Sequence, residues 1–159
     1  MSEFRVAKGK ADAVLTLADG STVRGRFFIA GSSAIGSGPE RVKDLLASET
    51  GFFPFEVSEA GAVRTLLYNR AHVIMVELTG DDEPRRSPDY DIAPRRSVSL
   101  LLSNGARVPG TVRVYRPRGR DRLSDFARSN ETFRYIEIPG ATLIVNVAHI
   151  IELSEMTES

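Results

Sequence analysis

Leu15-Thr16-Leu17-Ala18-Asp19-Gly20-Ser21-Thr22-Val23-Arg24-Gly25 is followed, 85 positions later, by Leu100-Leu101-Leu102-Ser103-Asn104-Gly105-Ala106-Arg107-Val108-Pro109-Gly110. Each stretch sets Asp-Gly or Asn-Gly between two apolar runs, Val14–Leu17 and Val23–Ile29 in the first, Val98–Leu102 and Val108–Val114 in the second. Such a pair supplies the positive φ angles of a tight type I′ turn, so each stretch reads as a β-hairpin. The likeness continues outward. Arg41-Val42-Lys43-Asp44-Leu45 matches Arg122-Leu123-Ser124-Asp125-Phe126 at a spacing of 81, as Phe52, Phe55, Glu56 and Val57 match Phe133, Ile136, Glu137 and Ile138. Asn69-Arg70-Ala71-His72-Val73-Ile74 matches Asn146-Val147-Ala148-His149-Ile150-Ile151 at 77. The blocks keep their order, and the spacing shrinks only between them, as two shorter loops in a second copy would make it. A tandem duplication is the expectation: a first β-module at 11–79, a linker rich in proline and charge at 80–95, and a second β-module at 96–154.

Within one module, Ser37-Gly38-Pro39-Glu40 has capping-box spacing, and Val42, Leu45 and Leu46 share one helical face, predicting a short helix at about 39–48. In the second module Asp121 is the expected N-cap and Leu123, Phe126 and Ala127 the apolar face. Phe53–Val57 and Phe133–Ile138 read as third strands, with Pro54 predicting an edge or a bulge. Gly61 and Pro139-Gly140 mark turns into Val63–Tyr68 and Ala141–Val145, and a last strand follows each histidine. The expected class is mainly β (α+β): two ββαβββ modules with barrel-like or sandwich-like sheets, related by a pseudo-two-fold axis. A module of about 70 residues buries only about 60% of its unfolded surface, so the two copies are expected to share an interface.

The chain has 159 residues, 42% hydrophobic and 26% charged, a globular rather than disordered profile. Its longest apolar runs, Leu66–Tyr68, His72–Val76 and Val98–Leu102, fall far short of the roughly 20 residues of a membrane-spanning helix. The N-terminus lacks a secretory pattern, and the absence of cysteine excludes disulfides, thiolate metal sites and cysteine nucleophiles. These features predict a cytoplasmic protein with no membrane contact and no cofactor.

The only two histidines, His72 and His149, occupy matching positions, each three residues after an asparagine. Asn69, His72, Asn146 and His149 could form a symmetric metal or catalytic site. The plainer reading makes each asparagine a turn cap and each histidine a half-buried turn end, because two histidines are too few for a zinc site. Asp44 and Asp125 suit the first turns of helices, and Glu56 and Glu137 suit outward strand positions. No nucleophile elbow accompanies either pair, and the glycine-rich stretch 30–38 has neither a phosphate-loop nor a dinucleotide pattern. Charge is less even. Residues 84–122 hold ten arginines against three aspartates, a net +7 balanced by −7 elsewhere. Arg95, Arg96, Arg116, Arg118, Arg120 and Arg122 are therefore candidates for binding an anionic ligand or nucleic acid, unless they dock on the acidic part of the same chain.

The Leu-x-Asp-Gly-x-x-Val-x-Gly-x-Phe pattern at 17–27, with Asn69-Arg70-Ala71-His72-Val73-Ile74, resembles the two signature regions of Sm-like small β-barrels over about a third of each module. Those proteins run directly from second to third strand, whereas a helix intervenes here, and the RNA-contacting asparagine of their first signature has no counterpart. Their RNA binding is therefore not implied. Most of a module is similar to short bacterial domains of unknown function that combine a hairpin, an Arg-Leu-Ser-Asp-Phe helix start (Arg122 to Phe126) and a closing His-Ile strand (His149, Ile150). That resemblance implies no activity. The arginine pairs resemble the loop of cyclic-dinucleotide-binding PilZ domains, but the accompanying Asp-x-Ser-x-x-Gly strand is missing. The expected function is a non-catalytic interaction or scaffold protein that binds a protein partner or itself, with arginine-based anion binding and the His/Asn site as alternatives.

Overall fold

The computed structural model describes residues 9–29, 42–79, 95–113 and 131–156. The first half contributes β1 (Gly9–Leu17), β2 (Thr22–Ile29), α1 (Val42–Ala47), β3 (Phe52–Glu59), β4 (Ala62–Asn69) and β5 (Val73–Leu78). The second contributes β6 (Arg95–Leu102), β7 (Arg107–Arg113), β8 (Phe133–Ile138), β9 (Ala141–Asn146) and β10 (Ile150–Glu155). The expected second helix from Asp121 and the linker up to residue 94 lie outside the described residues.

The chain is mainly β, as its alternating apolar pattern predicts. All ten strands belong to one antiparallel sheet in the order β10-β6-β7-β8-β9-β5-β1-β2-β3-β4. Two expectations are corrected by this order. The strands do not form separate barrel-like or sandwich-like sheets, because β5 pairs with β9, Val76 opposite Ile144, and merges the halves. Nor is the join two-fold. A two-fold axis would set like against like, whereas the last strand of the first half meets the fourth strand of the second, a head-to-tail arrangement.

The hairpin turns also differ from the expected type. Leu17 and Leu102 each accept from a glycine, Gly20 or Gly105, at 2.9 Å, and only the glycine has positive φ (91° and 87°). Leu17 pairs with Ser21 and Leu102 with Ala106, so these are three-residue loops closed by a left-handed glycine rather than two-residue type I′ turns. Asp19 Oδ1 accepts the Ser21 amide at 2.9 Å and its hydroxyl at 2.6 Å, and Asn104 Oδ1 accepts the Ala106 amide at 2.9 Å. This local bonding holds the Asx residue at negative φ. The Ser21 hydroxyl, followed by its amide, holds the Asp19 carboxyl below its ordinary 3.8. Its bonds therefore favour the folded hairpin above the ordinary carboxylate range and are lost as pH falls through the lowered value. In a carboxyl NMR titration, Asp19 is expected to have a midpoint below 3.8 that moves back up in Ser21→Ala.

The type I′ geometry appears instead between β3 and β4, where Ala60 and Gly61 have φ 50° and 82°. A left-handed alanine carries strain of about 1–2 kcal/mol. Ala60→Gly, which removes the Cβ responsible, is expected to raise stability by about 1 kcal/mol in urea denaturation.

Pro54 does not mark an edge. Its strand β3 lies inside β4, and pairing between β2 and β3 covers only Arg26 with Glu56 and Phe27 with Phe55. The ladder ends before Pro54, so the missing amide breaks no bond there. The first apolar core gathers Phe27, Phe53 and Phe55, with Phe27 stacked on Phe53 at 5.4 Å and edge-on to Phe55 at 5.0 Å. It also takes in Phe133 and Ile144 from the second half, while Ile74 of the first half lies in the second core. The halves therefore share cores across the join, as their small size predicts.

Candidate functional site

Both Asn-x-x-His stretches fold alike. Each asparagine ends a strand, β4 or β9, and caps a three-residue 3₁₀ turn through its side chain: Asn69 Oδ1 accepts from the Ala71 amide and Asn146 Oδ1 from the Ala148 amide, both at 3.0 Å. The carbonyls of His72 and His149 accept the amides of Ala18 and Ser103 at 2.8 and 2.9 Å, fastening each turn to a hairpin tip. This arrangement satisfies the ends of a helix too short to do so itself.

Beyond that common frame the two turns differ: at the join the side chains of the second reach the backbone of the first, and the side chains of the first have no such counterpart. Asn146 is buried, and its amide nitrogen donates to the carbonyls of Arg70 at 3.2 Å and Val73 at 3.0 Å. His149 Nε2 lies 2.6 Å from the Ala71 carbonyl, and its Nδ1 lies 2.7 Å from Ser103 Oγ. A carbonyl only accepts, so Nε2 carries the proton and Nδ1 is left to receive the serine hydroxyl in the neutral ring. The Nε2 bond holds the second half against the first, and the Nδ1 bond fixes the ring against the hairpin tip of its own half. Asn69 and His72, in contrast, sit beside the outermost strand. Among the described residues, neither the Asn69 amide nitrogen nor the His72 ring has a hydrogen-bond partner.

Arg70, which opens the first turn, is a structural clamp that its sequence context did not announce. Its Nη1 donates to the Phe52 carbonyl at 2.7 Å and its Nη2 to the Leu45 carbonyl at 3.0 Å, with the guanidinium 5.6 Å over the Phe53 ring. The available signal was that α1 has six residues and no basic residue in its last turn, so its terminal carbonyls need a donor from elsewhere. The second half has Val147 at the matching position of the sequence.

The arginine candidates divide. Arg116, Arg118, Arg120 and Arg122 lie outside the described residues. Arg95 is exposed at the start of β6, and Arg96 faces Glu155 at 3.8 Å. Elsewhere in the arginine-rich stretch, Arg107 pairs with Glu152 at 3.3 Å, and Arg113, largely buried, grips Glu137 at 2.7 and 3.4 Å. Glu56, the counterpart of Glu137, receives Lys10 at 3.0 Å. The two glutamates singled out by the repeat are thus ion-pair acceptors, and that of Arg113 is a forked, partly buried pair of the stronger kind.

Among the described residues, no three His, Asp or Glu side chains gather as a metal site, and no helix is long and apolar enough to cross a membrane. The large apolar side chains left exposed in the described part are Phe52, Val63, Leu67, Ile151 and Met156, all in or beside the two outermost strands, β4 and β10. The candidate site is therefore the pair of open sheet edges with the Asn69–His72 turn beside one of them. Comparison with family models, curated proteins and solved structures yields no match.

Proposed function

We propose that the chain is a cytoplasmic, non-catalytic interaction protein, built from a duplicated ββαβββ unit, whose partners attach by adding strands to the edges of its sheet. The single observation that carries this reading is that, among the described residues, the exposed large apolar side chains are confined to β4 and β10 and their immediate flanks. Edge strands normally avoid unwanted pairing through charge, proline or brevity. Here β4 is eight residues long and contains Leu66-Leu67-Tyr68, a run suited to burial on both faces. Duplication is supported by matched details: the order β5-β1-β2-β3-β4 recurs as β10-β6-β7-β8-β9, each half has the same glycine-closed hairpin loop, and each has the same asparagine-capped turn. The arginine alternative has less support, since Arg96, Arg107 and Arg113 face glutamates of the same chain.

Photo-crosslinking in cells tests the reading. A benzophenone side chain replacing Leu67 or Ile151 is expected to give covalent adducts, while one replacing Asn104 at a hairpin tip does not. Equal labelling at all three positions, or none at either edge, would show that the edges are not binding surfaces.

A further inference from the structure

The join inside the chain is a template for what its edges bind. Three large side chains cross it: Phe133 and Ile144 enter the first core, and Ile74 enters the second. Their accessibilities are 3%, 0% and 0%. By the spacings of the repeat, 81 for the third strand and 77 for the last two, their counterparts are Phe52, Leu67 and Ile151. These are 62%, 65% and 64% exposed. The side chains that cross the internal join therefore recur at both open edges with nothing over them. Polar groups follow the same rule: Asn146 and His149 bond across the join, whereas Asn69 and His72 lack the corresponding partners.

Strand chemistry agrees. On the β4 edge Arg64 faces Glu59, and on the β10 edge Glu152 and Glu155 face Arg107 and Arg96, so neither edge presents an uncompensated charge to an incoming strand. The internal join is also head-to-tail, a geometry that leaves one edge of each kind free however many units are added, until a ring closes.

The geometry points to a second copy of this chain as the partner, β4 of one copy pairing antiparallel with β10 of the next in the register of the internal join. This rests on the edge-binding reading above and adds the identity of the partner. Met75 opposite Val145, Val76 opposite Ile144 and Glu77 opposite Leu143 translate into Glu152 opposite Tyr68, Leu153 opposite Leu67 and Ser154 opposite Leu66. Phe52 and Leu67 of one copy enter the second core of its neighbour, and Ile151 of the neighbour enters the first core of that copy. The Asn69 amide donates to the neighbouring carbonyls of Val147 and Ile150, and His72 Nε2 donates to that of Ala148. Repetition gives a closed ring or a filament of whole chains, as the angle at each join dictates.

Sedimentation of the purified full chain is expected to show a particle of several times 17.4 kDa. Leu67→Asp or Ile151→Asp should each return it to 17.4 kDa with circular dichroism unchanged, since both side chains project from the surface of one chain, and with a melting temperature that is lower and no longer rises with concentration. The register has its own test, because the chain contains no cysteine. Directly opposed Cα atoms in an antiparallel pair lie about 4.5–5.5 Å apart, inside the window for a disulfide. Oxidised Leu67→Cys/Leu153→Cys should form a covalent ladder of chains. Leu67→Cys/Glu152→Cys, one residue out of register and on the opposite face, should not. A 17.4 kDa species at every concentration, or equal ladders from both cysteine pairs, overturns the inference. If that occurs while Leu67 crosslinks to a different protein in cells, edge binding stands and the second copy falls. If Leu67 and Ile151 crosslink to nothing, both readings fall.

Discussion

Gly25→Ala is expected to cost about 3 kcal/mol or more, because an added Cβ has nowhere to go in an already packed site. Gly25 lies on β2 where β3 crosses close by. A Cβ there would overlap the Glu56 carbonyl oxygen and sit 2.6 Å from Phe55 Cε2. The oxygen is backbone, and the ring belongs to the buried Phe27–Phe53–Phe55 cluster, so neither neighbour can yield cheaply. In a chain of this size each kcal/mol moves the melting temperature by about 2–4 °C, so a fall of about 10 °C should be seen by calorimetry. Gly110 holds the matching place on β7, but its Cβ would meet the Ile136 Cγ2 methyl at 2.7 Å and the Glu137 carbonyl at 2.9 Å. A methyl group moves more easily than a carbonyl, so Gly110→Ala should cost less than Gly25→Ala. Gly9→Ala, with open space around it, should be near neutral. An equal response at all three positions would contradict the close approach of β2 to β3.

The second large effect separates two asparagines that share one local motif. Asn146→Ala removes the turn cap and both side-chain bonds to the first half, at a cost of about 3 kcal/mol, although the Arg70 carbonyl keeps the Val73 amide. Asn69→Ala removes only the cap, at about 1 kcal/mol. Both should be measured in a Leu67→Asp background, so that the β4 edge is open, using urea denaturation monitored by circular dichroism. Equal losses would mean that Asn146 does not hold the join. With total stabilities of about 5–15 kcal/mol usual for such chains, either difference is well resolved.

Much of the local structure is legible in the residues. Asp19-Gly20 and Asn104-Gly105 mark the hairpins, Val42, Leu45 and Leu46 mark the one described helix, and the asparagines mark turn caps. What escapes the patterns is the side-chain bonding that selects among turn types and whatever depends on a distant neighbour. The turn type at Asp19 is set by bonds to Ser21, which favour a longer loop over type I′. Gly25 and Gly110 are visible as matching glycines, yet their purpose emerges only when β3 and β8 lie against them.

The choice of joining strands is the clearest case. Ile74, Ile144, Leu67 and Ile151 all sit in short apolar runs, and nothing in those runs says that two are central and two are at edges. The pseudo-two-fold expectation fails for that reason: hydrophobicity marks a strand for burial without naming the strand that will cover it. The Asn/His positions were legible as a repeated feature, but their difference in role follows from the join. His149 and Asn146 bond across it, and His72 and Asn69 stand where the next join would be.

Amide hydrogen exchange, read strand by strand as protein concentration is varied, tests the central claim most directly, namely that the open edges are further copies of the internal join. If β4 and β10 pair between copies, the outward amides of both strands become protected together as concentration rises, approaching those of β5 and β9, and Leu67→Asp abolishes the change in both. If β4 and β10 exchange as open edges at every concentration while β5 and β9 stay protected, the join is confined to the interior of one chain and the claim is wrong.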